Sequence, residues 1–525
     1  MKIQDLPIVE QLEHAISVVQ EGVTVCEADE QLYKEAIFAL EQANRTEEAI
    51  ALALRARKSF PQLRYFELWE ALMLPVLYDT DEQIDHYRAR YSAGLAELIS
   101  GYNLDSGDRR AALDAIGRHL NFYLGYQGHD DRKLQEQYAR FVHAVMAANY
   151  PEWVKPLEMP ALRPGEKIRV GFISAHFRDH SVAKLFSGWL RELDRRDFEP
   201  FVYHNGQTVD AVTEDIRHIT GHFRHMPGVL EPMCQAVAED NLHVAVFLDV
   251  RHRRMMMMSG LRLAPVQCVA WAHPITSGSP TLDYYLSGDL MEPEDAQDHY
   301  SERLIRLPGL GVCYPKPIIP RPLLRKSRAD FGLGEDRIVY LCCQSIFKYL
   351  PQHDDLFVRI AKRIPEAQFV FLALNEAVAK DFMTRLRRAF EAQGLEATDH
   401  CVILPLLGKF DYWNLNLVAD VFLDSLEWSG GVTTLEAIAC GLAPVTLPGR
   451  YMRGRHTYGI LTQLGVTDTV AHDKDEYVEI AVRLGANRDW RTDVISRMKS
   501  NHARLYSDTK CVRALEDFFR SVVVG

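Results

Sequence analysis

The sequence has no C-x-x-C motif, which is the commonest sequence signature of a zinc site. Its nine cysteines occur singly or as the adjacent pair Cys342-Cys343, so a disulfide framework is not indicated either. No uninterrupted apolar stretch has transmembrane length, and Met1 to Asp5 do not begin an apolar signal region. We therefore expect a cytoplasmic protein without membrane insertion.

The sequence also lacks an excess of basic residues. Lys and Arg number 60 against 72 Asp and Glu, which gives a formal net charge of −12. A general nucleic-acid binder needs a basic face that neutralises phosphates, so this charge argues against nucleic acid as a partner but leaves local basic pockets open. At 525 residues the chain is too long for one ordinary core, and we expect two to four domains.

A convincing metal motif is missing as well. Asp79-Thr80-Asp81 resembles a metal-binding D-x-D, but it directly precedes a helical pattern that runs from Glu82 to Ile99. Polar residues in that position typically cap a helix. We therefore predict capping for Asp79-Thr80-Asp81, and we expect neither a metal nor another cofactor.

Residues 1–155 have the pattern of an all-helical region. Apolar residues recur at intervals of three and four in Leu32 to Leu40 and in Thr46 to Leu54, where Thr46 is a candidate N-cap. This helix–turn–helix resembles one tetratricopeptide unit. Because such units need about three copies to be stable alone, we expect the helices to pack on the rest of the protein. Four prolines then mark a linker, at positions 151, 156, 160 and 164.

Strand-like runs alternate with helix-like runs beyond the linker. This alternation predicts two parallel, doubly wound α/β domains, at 165–325 and 326–525, with ligands bound at the carboxyl ends of their strands. The last helix, Val512 to Val523, is expected to cross back to the first sheet. The predicted strands are Ile168–Ser174, Pro200–Tyr203, Val244–Leu248, Ile338–Cys342, Gln368–Leu372, Cys401–Leu404, Val421–Leu423 and Ala443–Leu447.

Gly430-Gly431-Val432-Thr433-Thr434-Leu435-Glu436 is the most informative stretch. It lies between a predicted strand and a predicted helix, and a basic loop, Arg450 to His456, follows the next strand. Glycines allow close backbone approach, and the N–H groups of a helix's first turn point at an anion, so the stretch predicts a diphosphate site in which Glu436 binds the ribose. Thr433-x-x-Glu436 is also the pattern of a capping box, which needs no ligand. The basic loop favours the diphosphate site.

Other candidates follow predicted strands. His176 and His180 come after the first strand, where a base is useful, although a surface loop with incidental histidines is the alternative. Lys348 follows the first strand of the second domain and is placed to neutralise a diphosphate leaving group in place of a metal ion, or else is merely exposed. His243 enters a strand and is more typical of a structural histidine. The loop that contains His273, Pro274, Thr276, Ser277 and Gly278 offers hydroxyl and N–H groups to a sugar or acceptor, or is a plain turn.

Residues from about 165 to 525 resemble the catalytic region of the O-linked N-acetylglucosamine transferase family, especially its bacterial, SPINDLY-like members. The matching stretches occur in one order over about two-thirds of the chain. They are Ser174–Leu185, Leu242–Val244, Ala264–Gln267, His273–Asp283, Tyr300–Leu304, Phe347–Lys348, Ala419–Asp424, Gly430–Gly441 and Val445–His456.

The resemblance implies a GT-B fold and an inverting, metal-independent transfer from a UDP-sugar to protein side chains. It implies that His180 lies near acceptor and sugar as a possible base, that His243 is a second active-site histidine, and that Lys348 binds the diphosphate. The nucleotide would be held by residues of the second domain. They are Ser345, Lys409, Tyr412, Gly430, Gly431, Thr433, Thr434 and Glu436.

The sequence departs from the family at several contacts. Val432 and Tyr412 stand where animal members have histidines that contact the uracil, Arg251 to Met258 replaces a more polar segment, and His273-Pro274-Ile275 replaces a Gly-Tyr-Pro type sequence. We expect no full repeat superhelix, the region that usually recognises substrates in the family, within this sequence. These departures leave the sugar, GlcNAc or a glucose-type hexose, undetermined.

The sequence therefore predicts a GT-B glycosyltransferase with a helical front domain that acts on Ser or Thr of an acceptor protein. Three alternatives share most of its features: an asparagine N-glucosyltransferase of the adhesin-modifying type, a nucleotide-sugar epimerase, and a non-catalytic scaffold. The expected partners are a UDP-sugar and an acceptor protein or peptide, and a homo-oligomer is open.

Overall fold

The computed structural model describes residues 17, 29–105, 107–320, 322 and 324–524. Up to residue 153 the described chain is helical. Its helices are α1 (Glu30–Gln42), α2 (Thr46–Ser59), α3 (Tyr65–Leu72), α4 (Asp81–Gly101), α5 (Asp108–Ile116) and α6 (Arg132–Asn149), with 3₁₀ turns at Phe122–Gln127 and Pro151–Trp153.

Local sequence explains where these helices begin and which faces they bury. The predicted capping by the Asp79-Thr80-Asp81 stretch is confirmed, because the Thr80 hydroxyl accepts the Gln83 N–H at the start of α4. Thr46 is not an N-cap; it is the first residue of α2, and Arg45 precedes it without a side-chain cap. Small buried residues of α2, spaced three and four apart, let α1 and α3 pack closely. They are Ala49, Ala53 and Ala56.

The first α/β domain contains a seven-stranded parallel sheet in the order β3-β2-β1-β4-β5-β6-β7. Its interior strands are apolar and buried on both faces, as parallel sheets covered by helices require. The elements are β1 (Ile168–Ser174), α7 (Ser181–Glu192), β2 (Phe198–His204), α8 (Ala211–Thr220), β3 (His222–His225), α9 (Glu231–Glu239), β4 (Val244–Phe247), α10 (Arg253–Met258), β5 (Val266–Ala270), β6 (Tyr284–Gly288) and β7 (Arg303–Leu307).

The second α/β domain contains a five-stranded parallel sheet in the order β10-β9-β8-β11-β12. The elements are β8 (Ile338–Ser345), α11 (Asp354–Arg363), β9 (Ala367–Ala373), α12 (Glu376–Glu391), α13 (Ala397–His400), β10 (Cys401–Pro405), α14 (Lys409–Val418), β11 (Val421–Leu423), α15 (Val432–Cys440), β12 (Pro444–Val445), α16 (His456–Leu464), α17 (Lys474–Ala486), α18 (Arg488–Ser500), α19 (His502–Leu505) and α20 (Lys510–Val524).

The terminal helix α20 leaves the second domain and packs on β1 and β7 of the first. Glu516 of α20 accepts the backbone N–H of Asp194 at 2.8 Å, and the Phe519 ring lies 6.2 Å from that of Phe198. This helix therefore braces the first sheet, and it ties the second domain to the first at a point away from the cleft.

The helical region packs on both α/β domains rather than standing apart. Phe122, Ile275 and Trp428 form one buried cluster that takes a residue from each of the three regions. The Arg385 guanidinium of α12 is buried against Asp354 and donates a 2.7 Å hydrogen bond to the Tyr78 carbonyl. These contacts fix the helical region over the cleft between the sheets. Over the described residues, no helix is both long enough and apolar enough to span a bilayer.

Candidate active site

A buried carboxylate shapes the glycine turn between β11 and α15. Asp424 accepts hydrogen bonds from the Ser429 hydroxyl at 2.6 Å, the Gly430 N–H at 2.7 Å and the Thr446 hydroxyl at 2.7 Å. Burial raises the pKa of Asp424 to about 6, while these three donors oppose that rise. Asp424 thus fixes the conformation of the turn, although the sequence did not identify it as a site residue.

The amino end of α15 has no side-chain cap. The helix begins at Val432 after Gly431, and neither Thr433 nor Glu436 makes the hydrogen bonds of a capping box. The capping-box interpretation is therefore wrong. Because the first N–H groups of a helix have no intrahelical partner, this end offers donors and a partial positive charge of roughly half an elementary charge to an anion.

Lys348 lies beside this helix terminus. Its Nζ donates to Gln344 Oε1 at 2.8 Å, and Gln344 Nε2 donates to the Thr433 hydroxyl at 2.5 Å. Burial, helped by the nearby Arg251 charge, lowers the pKa of Lys348 to about 8. The Trp428 ring lies 5.5 Å from Nζ. The lysine is thereby positioned, and an anion bound there would stabilise its charged form against the effect of burial.

The two glycines of the turn have different surroundings. A Cβ on Gly430 would lie 2.5 Å from Thr434 Oγ1 and 2.7 Å from Thr433 Oγ1, which real Cβ atoms do not tolerate. A Cβ on Gly431 would find nothing closer than 3.9 Å, where His456 Nδ1 and the Trp271 ring lie. Gly430 is therefore required by the fold, whereas Gly431 faces the open cleft.

Two of the predicted phosphate and ribose contacts are already engaged within the protein. The Thr434 hydroxyl is buried and shares a 2.8 Å hydrogen bond with the Thr457 hydroxyl. Glu436 is also buried, and it accepts a 2.8 Å hydrogen bond from Lys184 of α7, across the cleft. The ion pair with Lys184 occupies Oε1 of Glu436, so the predicted ribose contact would use Oε2.

The remaining nucleotide candidates line the second-domain side of the cleft. Lys409 begins α14, where its Nζ lies 3.5 Å from Asp179 of the first domain. The Tyr412 hydroxyl donates to Cys343 Sγ at 3.4 Å, and Ser345 ends β8. The structure therefore gathers Lys348, Gly431, Thr433, Lys409, Tyr412 and Ser345 at the carboxyl ends of β8 and β11, together with the first turns of α14 and α15.

His180 faces this group from the first domain. It precedes α7, and its Nδ1 accepts the Val182 N–H at 3.2 Å. Its ring stacks on His176 with 4.1 Å between centroids, and burial, followed by the effect of His176, lowers the pKa of His180 to about 3. A neutral imidazole whose Nδ1 accepts a hydrogen bond carries its proton on Nε2, so the free nitrogen is a donor. This geometry does not fit the predicted general base.

Several buried polar atoms at the carboxyl ends of β1, β4 and β5 lack a hydrogen-bond partner among the described residues. Orphaned buried groups of this kind are costly in an isolated fold and point to a polar ligand or water. Phe-Leu-Asp ends both β4 (Phe247-Leu248-Asp249) and β11 (Phe422-Leu423-Asp424), and this repeat could have identified Asp249 and Asp424 from the sequence. The orphaned atoms are His176 Nδ1, Asp249 Oδ1, Arg251 Nε, Trp271 Nε1 and His273 Nδ1.

His243 is not part of this site. It lies immediately before β4, at the amino edge of the sheet, whereas the cleft lies at the carboxyl edge. Its Nδ1 accepts the Arg169 N–H at 2.9 Å, and its own N–H donates to the Arg169 carbonyl at 3.0 Å. The catalytic prediction for His243 is therefore wrong on position, and its hydrogen bonds to β1 are structural.

The loop after β5 divides into two halves. His273 and Pro274 are buried near the cleft, and burial, followed by the Arg251 charge, lowers the pKa of His273 to about 3. Thr276 and Ser277 instead both donate to Glu302 (2.6 Å from the Thr276 hydroxyl, 2.8 Å from the Ser277 N–H). A Cβ on Gly278, which has φ +70°, would lie 2.3 Å from the Gln135 backbone of α6. These last three residues join the loop to its neighbours, and the Thr276 and Ser277 hydroxyls are engaged by Glu302.

Within the described residues, no group of three or more His, Cys, Asp or Glu side chains is arranged to hold a metal ion. The cationic groups of the cleft include Lys348 and Lys409 of the second domain and Lys184 and Arg251 of the first. Trp271 and His456 connect the two sides, with 5.1 Å between their ring centroids. The site can thus hold an anion on the second domain beside a polar pocket on the first.

A family model gives an independent comparison for this site. The model of glycosyl transferase family 41 matches residues 141–310 and 316–514, more than half of the chain. The match includes the strands, both sides of the cleft and the end of the helical region. The match covers every residue assigned above to the cleft. Phe122, in the helical region, lies outside it.

Curated relatives agree with the family match. A SPINDLY protein of Arabidopsis thaliana, named a probable UDP-N-acetylglucosamine–peptide N-acetylglucosaminyltransferase, is 27% identical over 339 residues, which is 62% of this chain and 36% of the relative. The rice SPINDLY (Oryza sativa subsp. japonica) is 26% identical over 392 residues, 71% of this chain and 40% of the relative. The chain thus spans well under half the length of these relatives.

Among solved structures, a mutant of the Thermobaculum terrenum O-GlcNAc transferase superposes with a TM-score of 0.72. The alignment covers 99% of this chain and 98% of that chain at 22% sequence identity. At this identity the likeness shows the fold. Together with the two facing parallel sheets, it confirms the predicted α/β architecture of GT-B type behind a helical front region.

Proposed function

The chain belongs to glycosyl transferase family 41, and from this premise we propose that it transfers a sugar from a UDP-sugar to Ser or Thr side chains of proteins. GlcNAc is the first donor sugar to test, because the relatives' names specify it. We propose further that the transfer inverts the anomeric centre and needs no metal. The observation that carries the proposal is the uncapped α15 terminus joined to Lys348 through Gln344 and Thr433.

The donor diphosphate binds at this terminus. Lys348 supplies a full positive charge, and the free N–H groups of the first turn of α15 supply aligned dipoles. A diphosphate in this largely dry place keeps Lys348 protonated, because an adjacent anion opposes the lowering of its pKa by burial. These two elements take the role that a divalent cation has in metal-dependent transferases.

The reaction is a single displacement at the anomeric carbon. The acceptor oxygen forms a bond to this carbon on one face while the bond to the β-phosphate oxygen breaks on the other, and the configuration inverts. Negative charge grows on the leaving UDP, where Lys348 and the α15 N–H groups stabilise it. The acceptor proton leaves to a phosphate oxygen or to solvent, since the hydrogen bond to Nδ1 leaves His180 with a donor rather than a base.

His180 positions the reactants in this scheme. Its Nε2–H is available to a sugar hydroxyl or to the acceptor oxygen, and its ring is held by the stack on His176 and by the bond from Val182. A fixed neutral donor orients a polar group without needing to titrate. His180 thus orients the reacting groups, and its protonation state does not change during turnover.

Calorimetry with UDP and a transfer assay with UDP-GlcNAc test the proposal. We expect UDP to bind the full chain in the presence of EDTA, and Lys348→Met to lower turnover by about a hundredfold, the scale of losing one transition-state charge partner. Lys326→Met is the matched control, since Lys326 is a partly exposed lysine of the second domain that pairs with Asp411. An absolute requirement for Mg²⁺ or Mn²⁺ would contradict the metal-free mechanism.

A further inference from the structure

We propose that the acceptor is an acidic polypeptide segment, and that it lies in an arginine-lined groove between the helical region and the first α/β domain. The proposal rests on the function proposed above and specifies its acceptor chemistry. We call this cavity the arginine groove. Its lining residues are Arg110, Leu113, Asp114, Gly117, Arg118, Gly228, Leu230, His252, Arg253, Arg254 and Met257.

Both regions of the protein build the arginine groove. Arg110 and Arg118 come from α5 and the turn after it, whereas Arg253 and Arg254 begin α10. The cavity has a volume of about 580 Å³, within the range of roughly 300–1,000 Å³ typical of ligand clefts. It is larger than a water site needs, and it opens between the helical region and the first α/β domain.

The charge of the arginine groove is mostly unbalanced. Arg118 pairs with Asp114, 3.0 Å away, but Arg110, Arg253 and Arg254 form no ion pair with any described residue. Glu41 is the carboxylate that acts on Arg253, from a neighbouring cavity. This local excess of positive charge contrasts with the net charge of −12 of the whole chain. A concentrated cationic groove on an acidic protein favours a partner of opposite charge.

The arginine groove leads towards the proposed transfer site. A second cavity, of about 180 Å³, shares Arg118 and Arg253 with it and extends to Tyr123. The Tyr123 ring lies 6.2 Å from that of Phe347, the residue before Lys348. On the other side, His252 of the groove directly follows Arg251, whose charge acts on both Lys348 and His180. A segment lying in the groove can therefore place a neighbouring hydroxyl in the cleft.

The lining favours a polypeptide over a free anion. Leu113, Leu230 and Met257 give the groove apolar contacts, while the guanidinium groups can each hold a carboxylate with two parallel hydrogen bonds. Apolar contacts together with arginines suit a chain that carries both side-chain types, as in the recognition of acidic motifs by arginine clusters. Asp114 repels part of any acidic ligand, so the expected selectivity comes from Arg110, Arg253 and Arg254.

Two synthetic fluorescent peptides of equal length test this proposal. Each carries a central Ser, flanked by Glu in one peptide and by Gln in the other, and binding to the full chain is measured by anisotropy with and without UDP. The variants are Arg110→Ser/Arg254→Ser and a matched control, Arg55→Ser/Arg387→Ser, at two exposed arginines outside the groove that form no ion pair with described residues. Calorimetry with UDP is run on every sample.

We expect the Glu peptide to bind at least about tenfold more tightly than the Gln peptide, with the difference shrinking as salt is raised. The groove variant should lose about fivefold to thirtyfold in Glu-peptide affinity, the effect of two partly exposed charge pairs, and keep its UDP affinity. The control variant should keep both its Glu-peptide affinity and its UDP affinity.

Equal binding of the two peptides would overturn the proposal, as would an equal loss in the control variant. Equally tight binding of an oligonucleotide with the charge of the Glu peptide would overturn it too, by showing unselective attraction of polyanions. Failure of UDP to bind would instead contradict the proposed function. The peptide comparison made without UDP would still test the groove in that case.

Discussion

Alanine substitutions at the two neighbouring glycines separate the structural role of the turn from its role in ligand binding. At Gly430 a new Cβ would lie 2.5 Å from Thr434 Oγ1, which is itself fixed by the bond to Thr457. At Gly431 the nearest atoms, on His456 and Trp271, are 3.9 Å away, an ordinary van der Waals distance. The same one-carbon change therefore meets a crowded site in one position and an open cleft in the next.

The expected magnitudes follow from these distances. Overpacking at Gly430 costs about 1–3 kcal/mol of unfolding free energy, and a turn that shifts to relieve it loses the bond between the Gly430 N–H and Asp424, worth about 1 kcal/mol more. Gly431→Ala should change the unfolding free energy by no more than about 0.5 kcal/mol. Its methyl group would, however, stand between the N–H groups of α15 and a phosphate, so we expect UDP affinity to fall more than about tenfold, or 1.4 kcal/mol.

Urea unfolding and calorimetry with UDP, run on both variants and the parent, measure the two effects. We expect Gly430→Ala to be destabilised and to bind UDP poorly, and Gly431→Ala to unfold like the parent but bind UDP poorly. Parent-like UDP affinity in Gly431→Ala would refute the placement of the phosphates at the α15 terminus. Parent-like stability in Gly430→Ala would refute the packing argument for the turn.

Three further predictions concern charged and titratable groups. Burial lowers the pKa of Lys348 to about 8, so UDP affinity measured above pH 7, where the terminal phosphate of UDP is fully ionised, should fall as the pH rises through 8 and the ammonium deprotonates. Lys348→Arg should abolish this fall, and a fall that persists in the arginine variant would assign it to another group. His180→Ala should reduce kcat and should cost about 1 kcal/mol of stability through the lost helix cap. Because the pKa of His180 is lowered to about 3, the variant should keep the acid limb of the pH–rate profile between pH 5 and 8. Loss of that limb would show that His180 is the general base. Lys184→Met should destabilise the protein by on the order of 3 kcal/mol in urea unfolding, because it leaves the buried Glu436 carboxylate unpaired. The double variant with Glu436→Leu should recover most of that loss. No recovery would show that the broken ion pair is not the cause.

The strands that the sequence predicted best are continuous apolar runs at the centres of the sheets. The run Ile168–Ser174 is β1 and the run Val421–Leu423 is β11, each with the predicted bounds, because a strand buried on both faces has no polar alternation to obscure it. The edge strand β3, His-Phe-Arg-His, was not predicted, since half of its side chains are exposed and nothing local distinguishes it from a loop.

Site residues were predictable where a recognisable residue pattern lies in the connection after a strand that leads into the cleft. Lys348 and Gly431 satisfy this rule, and the structure places both beside the α15 terminus. His243 fails it because it precedes its strand, and a residue at the amino end of a parallel strand lies at the opposite edge of the sheet. Arg251 comes four residues after the last residue of β4, and only the folded structure shows that its charge acts on Lys348.

Long-range partners account for the other differences. Thr276 and Ser277 have the composition of a ligand loop, but Glu302, some 25 residues further along the chain, accepts their hydrogen bonds. Glu436 has the position of a ribose ligand, but Lys184 of the other α/β domain, 252 residues earlier, binds it. A sequence window around either site contains no sign of these partners, since they are brought in by the packing of separate elements.

Transfer of labelled sugar from UDP-GlcNAc to protein tests the central claim most directly. The full chain and Lys348→Met are incubated with the donor, EDTA and a panel of candidate acceptor proteins, and protein-bound label, free UDP and unreacted donor are quantified together. We predict UDP release matched by label on Ser or Thr of an acceptor with the parent chain, and about a hundredfold less with Lys348→Met. Donor that is epimerised or hydrolysed without any label on protein would contradict the account.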